Sequence, residues 1–116
     1  MARYVKMNKV PDNTSTPGLR PMEKKDVPFV HTLLNAYLQQ YKCHIQFTVE
    51  EIAHFLLPRE WVVESYVVED VKEKKITDFI SFYSLPSSVL KHPEHTILNV
   101  AYSYYNVPGV HKLVNL

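Results

Sequence analysis

The sequence predicts an α+β fold, in which two helices pack on an antiparallel β-meander. Three observations carry this. Residues 27–41, and again the stretch between Thr48 and Pro58, space their apolar residues helically. Three strand-like runs then follow at 61–69, 76–85 and 97–107, with no helical segment between them. The first two runs are joined by DVKEKK (70–75), a charged stretch that fits a solvated hairpin turn.

Each element has its own signals. Residues 9–21 read as a linker, because Pro11, Asp12, Asn13, Pro17 and Gly18 are turn and breaker residues. Residues 19–22 form a short edge strand whose pairing Pro21 limits. The first helix is expected at 27–41, with Asp26 as N-cap and Pro28 in the first turn, where no intrahelical N–H partner is needed. Val30, Leu33, Leu34, Tyr37, Leu38 and Tyr41 make its apolar stripe. The second helix opens with a capping box, Thr48 and Glu51, flanked by Phe47 and Ile52 in staple positions. Ile52, Phe55 and Leu56 are expected to face the core, and Pro58 closes the helix. The last strand places Tyr102 and Tyr104 on one face and Tyr105 on the other. The connection 86–96 reads as a loop.

Composition bounds the function. The chain has 116 residues, which suits one domain or part of one. Lys and Arg number 13 and Asp and Glu 12, so charge gives no case for nucleic acid or an anionic membrane. No run of about 20 apolar residues occurs, so no transmembrane segment is expected. The basic N-terminus MARYVKMNKV lacks the apolar core of a secretory signal. Cys43 is the only cysteine, which suits a reducing compartment. A cytoplasmic protein is the expectation.

Several clusters invite chemistry. His92-Pro93-Glu94-His95 offers metal-ligating side chains, but Pro93 opposes the helix that would align the two rings, so no metal site is assigned. Cys43-His44 is read as structural or surface, since adjacent side chains seldom form an attacking pair. Asp78 interrupts an apolar strand on the face of Ile80 and Phe82. Buried there, it needs a backbone N–H or a cation such as Arg59; a catalytic carboxylate is the rival reading. Tyrosine suits both sheets and amphipathic recognition surfaces, so the tyrosines of the last strand are open between core and binding roles. Only Gly18 and Gly109 occur, so no Gly-rich cradle for a pyrophosphate is present.

Five stretches, taken in order, carry a resemblance: TPGLRPMEKKDVPFV (16–30), LLNAYLQQY (33–41), HFLLPRE (54–60), TDFISFYSLPSSV (77–89) and AYSYYNV (101–107). With them the chain resembles the eukaryotic N-myristoyltransferases (glycylpeptide N-tetradecanoyltransferases), at the start of the family's C-terminal half. The resemblance divides the chain into an N-terminal segment and linker (1–21), a partial C-terminal domain (22–107) and a divergent tail (108–116). It implies a partial acetyltransferase-like (GNAT) fold, one of two tandem halves around a saddle-shaped sheet. The implied activity is transfer of myristate from myristoyl-CoA to the N-terminal glycine of proteins.

In that family the first half carries the myristoyl-CoA site and the oxyanion amides, so no catalytic or cofactor-binding residue is implied here. The family's general base is its own terminal carboxylate; Leu116 does not correspond to it. A base is needed because an α-amino group with a reference pKa of about 8 is mostly ammonium at neutral pH. Tyr83 and Ser87, after the SFY-LPS pattern, and Tyr102, in AYS-YN, match peptide-groove positions; Ser88 is a neighbour. The implied partners are N-terminal glycine peptides and a complementary half. A truncated copy with no turnover alone is expected; a catalytically dead peptide-binding module or a non-functional truncation product are the alternatives.

Overall fold

The computed structural model describes residues 2–9, 12 and 14–110. Val10, Pro11 and Asn13 of the expected linker and residues 111–116 of the expected tail lie outside the described residues. The chain forms α1 (Ala2–Met7), β1 (Leu19–Pro21), a 3-10 turn (Lys24–Asp26), α2 (Val27–Leu38), α3 (Val49–Leu56), β2 (Val63–Glu69), β3 (Ile76–Ser84), β4 (Ser87–Ser88), β5 (Ile97–Leu98) and β6 (Ala101–Val107). The short α1 was not anticipated, since nothing in MARYVKM caps a helix.

The main sheet has the order β1-β2-β3-β6, antiparallel throughout, so the expected meander is present. Gly18 precedes β1, and its φ of 77° leads the chain into the edge pairing. A Cβ at Gly18 would collide with the carbonyl oxygen of Glu69, so only glycine fits this approach. The hairpin between β2 and β3 is closed by Asp70, whose carboxylate accepts the N–H of Lys72 at 2.7 Å. Lys74 takes the left-handed conformation there, with φ of 51°.

Helices α2 and α3 cover one face. Val30, Leu34 and Leu38 of α2 meet Ile52 and Leu56 of α3, and both helices pack on Val67, Phe79 and Val107 of the sheet. Burying a side chain of this size is worth about 1.5–3 kcal/mol, so this layer is the main stabilising contact. The capping box of α3 forms as expected: Thr48 Oγ1 accepts from the N–H of Glu51 at 3.2 Å, and the Glu51 carboxylate accepts the Thr48 N–H at 2.8 Å. Phe47 is buried beneath it, joined to α2 by a two-way hydrogen bond with the Asn35 amide (2.8 and 3.0 Å).

Four expectations need correction. Asp26 does not cap α2 through its side chain. The guanidinium of Arg20 captures that carboxylate in a two-pronged bond (2.6 and 2.9 Å), and the N–H of Glu23 donates to it as well. Helix α2 ends at Leu38 rather than at residue 41, because tight turns finish it with Gln40 N–H on Tyr37 O and Tyr41 N–H on Leu38 O. Tyr41 therefore leaves the stripe and is exposed. Phe55 is 44% exposed, whereas Ile52 and Leu56 of the same helix are buried. The expected strand 97–107 is two strands in different sheets: β5 pairs with β4 inside the expected loop, and β6 pairs with β3.

Candidate functional site

The register of β3 and β6 sets Tyr83 opposite Tyr102. Their rings stack with centroids 5.5 Å apart and planes 14° apart. Tyr104 meets the same Tyr83 ring edge-on at 5.4 Å. The expected pair Tyr83 and Tyr102 is thus assembled into a three-ring cluster, with Tyr102 and Tyr104 partly open to solvent. Offset and edge-on pairs of this kind are worth about 0.5–1.5 kcal/mol beyond their buried area.

A register shift between Ile80 and Phe82 controls what lies beside this cluster. Ser81 occupies it: its hydroxyl donates to the Tyr105 carbonyl at 2.8 Å and accepts the Tyr105 N–H at 3.0 Å. The irregularity breaks the strict alternation of β6. Tyr105, expected on the opposite face from Tyr104, instead lies with its ring 4.6 Å from Tyr104 and 5.2 Å from the core residue Phe47. Burial, reinforced by the neighbouring Tyr104, pushes the Tyr105 phenol above its ordinary pKa.

Beside the tyrosines runs an open groove of about 410 Å³, lined by Phe55, Arg59, Val62, Val63, Tyr83, Ser103 and Tyr104. The exposed Phe55 is therefore a wall of the groove, a role that helical periodicity could not reveal. Ser87 is not brought to this groove. It sits in β4, paired with Leu98 of β5, and Ser88 pairs with Ile97. The β4–β5 hairpin joins the end of the main sheet where the Leu85 N–H donates to the Val100 carbonyl at 2.9 Å.

The remaining candidates resolve structurally. Asp78 is fully buried; its carboxylate accepts the Gly109 N–H at 2.9 Å and the Thr77 hydroxyl at 2.6 Å. The backbone N–H reading of Asp78 thus holds, whereas Arg59 donates to the His54 carbonyl at 2.6 Å. His92 and His95 stack at 4.8 Å, and His92 Nδ1 accepts the N–H groups of Glu94 and His95, which occupies one ring nitrogen. Among the described residues no group of three or more His, Cys, Asp or Glu gathers for a metal ion. Cys43 is exposed, and the neighbouring His44 has Nδ1 against the Tyr41 carbonyl at 2.8 Å. Among the described residues no helix is long and apolar enough to cross a membrane.

Two helices on an antiparallel meander, with an aromatic groove beside them, define a GNAT-like α+β domain. Residues 1–115 match the family model for the myristoyl-CoA:protein N-myristoyltransferase C-terminal domain, and the chain belongs to that family. It is 50% identical over 107 residues to glycylpeptide N-tetradecanoyltransferase 1 of Arabidopsis thaliana, covering 92% of this chain and 25% of that one. It is 44% identical over 116 residues to glycylpeptide N-tetradecanoyltransferase 2 of Bos taurus, covering 100% of this chain and 23% of that one. The fold matches a crystal structure of Saccharomyces cerevisiae N-myristoyltransferase with bound myristoyl-CoA at a TM-score of 0.81 and 36% identity, over 90% of this chain and 25% of that one. The chain thus spans about a quarter of the length of these relatives.

Proposed function

We propose that this chain supplies the acceptor side of glycylpeptide N-tetradecanoyl transfer: it binds the N-terminal glycine peptide and does not by itself bind or activate the acyl donor. The observation that carries the reading is the stacked Tyr83–Tyr102 pair at the rim of an open, mostly apolar groove. Aromatic bodies with hydroxyl tips suit a peptide, whose backbone is polar and whose side chains are mixed. Tyr83 and Tyr102 are the proposed contacts, and Ser87 joins them from the β4–β5 arm when the peptide is long enough to reach it.

For the donor, the chain has only Gly18 and Gly109, and both are spent on close backbone approaches, to Glu69 and to Thr77. That leaves no glycine-rich turn for a pyrophosphate. Myristoyl-CoA and the amides that stabilise the thioester oxyanion would come from a complementary half of the kind the longer relatives span. The exposed single cysteine, Cys43, favours a reducing compartment such as the cytoplasm.

Calorimetry with a glycine-starting peptide tests the binding claim. Saturable binding is expected, weakened severalfold by Tyr102→Ala; equal affinity in parent and variant, or none in both, removes it. Incubation with labelled myristoyl-CoA and the same peptide tests the second claim. No acyl transfer above background is expected, and clear turnover by the chain alone overturns the acceptor-only assignment.

A further inference from the structure

We propose that the groove between α3 and the sheet recognises an apolar side chain next to an acidic one, with Arg59 holding the carboxylate. This deepens the peptide-binding reading by naming a class of peptide, and it rests on that reading for the groove's orientation.

The apolar part follows from exposure. Phe55 is 44% exposed, Val62 52% and Tyr104 38%, and all three line the groove. On the same helix Ile52 and Leu56 are fully covered. The groove is thus a gap in the helix layer, walled by an aromatic ring, a valine and the Tyr83–Tyr104 pair. Its volume of about 410 Å³ lies within the range of small-ligand sites.

The acidic part follows from charge. Arg59 is the sole charged residue lining the groove, and no carboxylate lines it. Among the described residues the ion pairs involve Arg20 and Lys25, with Asp26, Glu69 and Glu23, and none involves Arg59. Glu60 and Glu64, its nearest acidic neighbours in sequence, do not line the groove.

Arg59 is also held in place. Its N–H donates to the Val63 carbonyl at 2.8 Å, and its carbonyl accepts from the N–H groups of Val62 and Val63 at 2.9 and 3.0 Å. One guanidinium nitrogen, Nη2, donates to the His54 carbonyl at 2.6 Å. That bond orients the planar fork while using a single one of its nitrogens. A guanidinium fixed at one end, beside apolar walls and without a carboxylate, is matched by an Asp or Glu side chain, which can accept two parallel N–H bonds.

The test uses the 116-residue chain and amide-capped peptides, so that no terminal carboxylate competes. One glycine-starting peptide carries Leu-Glu and its twin carries Leu-Gln; a second pair is the same but N-acetylated. By calorimetry the Leu-Glu peptide is expected to bind about fivefold more tightly than Leu-Gln, the effect of a part-exposed charge-assisted pair. The preference is expected to shrink with added salt, to vanish in Arg59→Gln and to survive in part in Arg59→Lys, which keeps the charge without the fork. The Lys variant carries the test if the Gln variant fails to fold. Equal affinity for the twins, a preference that persists in Arg59→Gln, or no saturable binding overturns the proposal. Glycine-starting peptides that bind in a Tyr102-dependent way but without acidic preference remove the Arg59 inference alone. A preference that persists in the acetylated pair, with no advantage for a free glycine, removes the glycine reading alone.

Discussion

The buried carboxylate of Asp78 on β3 accepts the backbone N–H of Gly109, thirty-one positions further along the chain, at 2.9 Å. The chain just beyond β6 is thereby fastened to the middle of the sheet, and a Cβ at Gly109 would collide with the carbonyl oxygen of Thr77. Asp78→Ala leaves this N–H without its partner and is expected to cost about 2–3 kcal/mol in urea unfolding. Gly109→Ala is expected to destabilise as well. Unfolding midpoints equal to the parent's in both variants would show that the fastening contributes nothing.

The Tyr83–Tyr102 stack is expected to matter for stability as well as for binding. A double-mutant cycle with Tyr83→Leu and Tyr102→Leu is expected to give a coupling of about 0.5–1 kcal/mol. Strictly additive effects would mean that the rings are neighbours without energetic interaction.

Arg20 ties three elements together, reaching Asp26 through two nitrogens and Glu69 through Nε at 2.7 Å. For Asp26, burial raises the carboxyl pKa, but the Arg20 bond, the Glu23 N–H and the nearby positive charges outweigh it and hold the pKa below the ordinary value. The folded form therefore binds this proton less readily than the unfolded chain. The stabilisation is complete above about pH 4 and is lost as pH falls through the lower, folded-state value. In Arg20→Met the stability lost between neutral and acid pH is expected to shrink by about 1–2 kcal/mol, read from urea midpoints across that range. An unchanged acid limb would count against the network.

Tyr105 gives the opposite limb. Its pKa is raised by burial and then by Tyr104, so the folded form holds the phenol proton more tightly than the unfolded chain. Its contribution is complete below about pH 10 and is lost as pH rises through the higher folded-state value. Tyr105→Phe is expected to flatten the alkaline limb while leaving neutral stability near the parent's. Thermal melts from neutral pH upward check this, and a parallel decline in parent and variant refutes it.

Thr48 anchors the start of α3. Thr48→Ala removes one half of the capping box and is expected to cost about 1 kcal/mol, seen as a lower unfolding midpoint and reduced helical circular dichroism. Thr48→Ser is expected to retain most of the stability.

What the sequence revealed and what it hid divide along physical lines. The Thr48–Glu51 cap, the Asp70 turn and the valine-rich β2 are local features, legible because their partners lie within a few residues. The same local logic misassigned Asp26, since its carboxylate was claimed by Arg20 from a separate strand. Phe55 fits the apolar stripe of α3 by spacing, yet it stays 44% exposed as a wall of a groove whose other walls come from β2, β3 and β6, distant in sequence. The run 97–107 is strand-like over most of its length, and Asn99 is the one turn-favouring residue at the break between β5 and β6, a weak signal among so many tyrosines and aliphatics. Tyr105 was misplaced because Ser81, on another strand, disturbs the alternation. Of the proposed site residues, Tyr83 and Tyr102 come from the resemblance, whereas Arg59 enters the sequence reading only as a possible partner for Asp78. Its position in the groove depends on how the end of α3 meets β2.

The separation of β4 and β5 from the main sheet has a consequence for how this region tolerates change. Residues can be inserted or deleted around Lys91 to Glu94 with the three strand pairings of the main sheet left in register, because that arm shares no ladder with them. Length variation among natural versions of the domain should therefore collect at this arm, leaving the tyrosine cluster where it is.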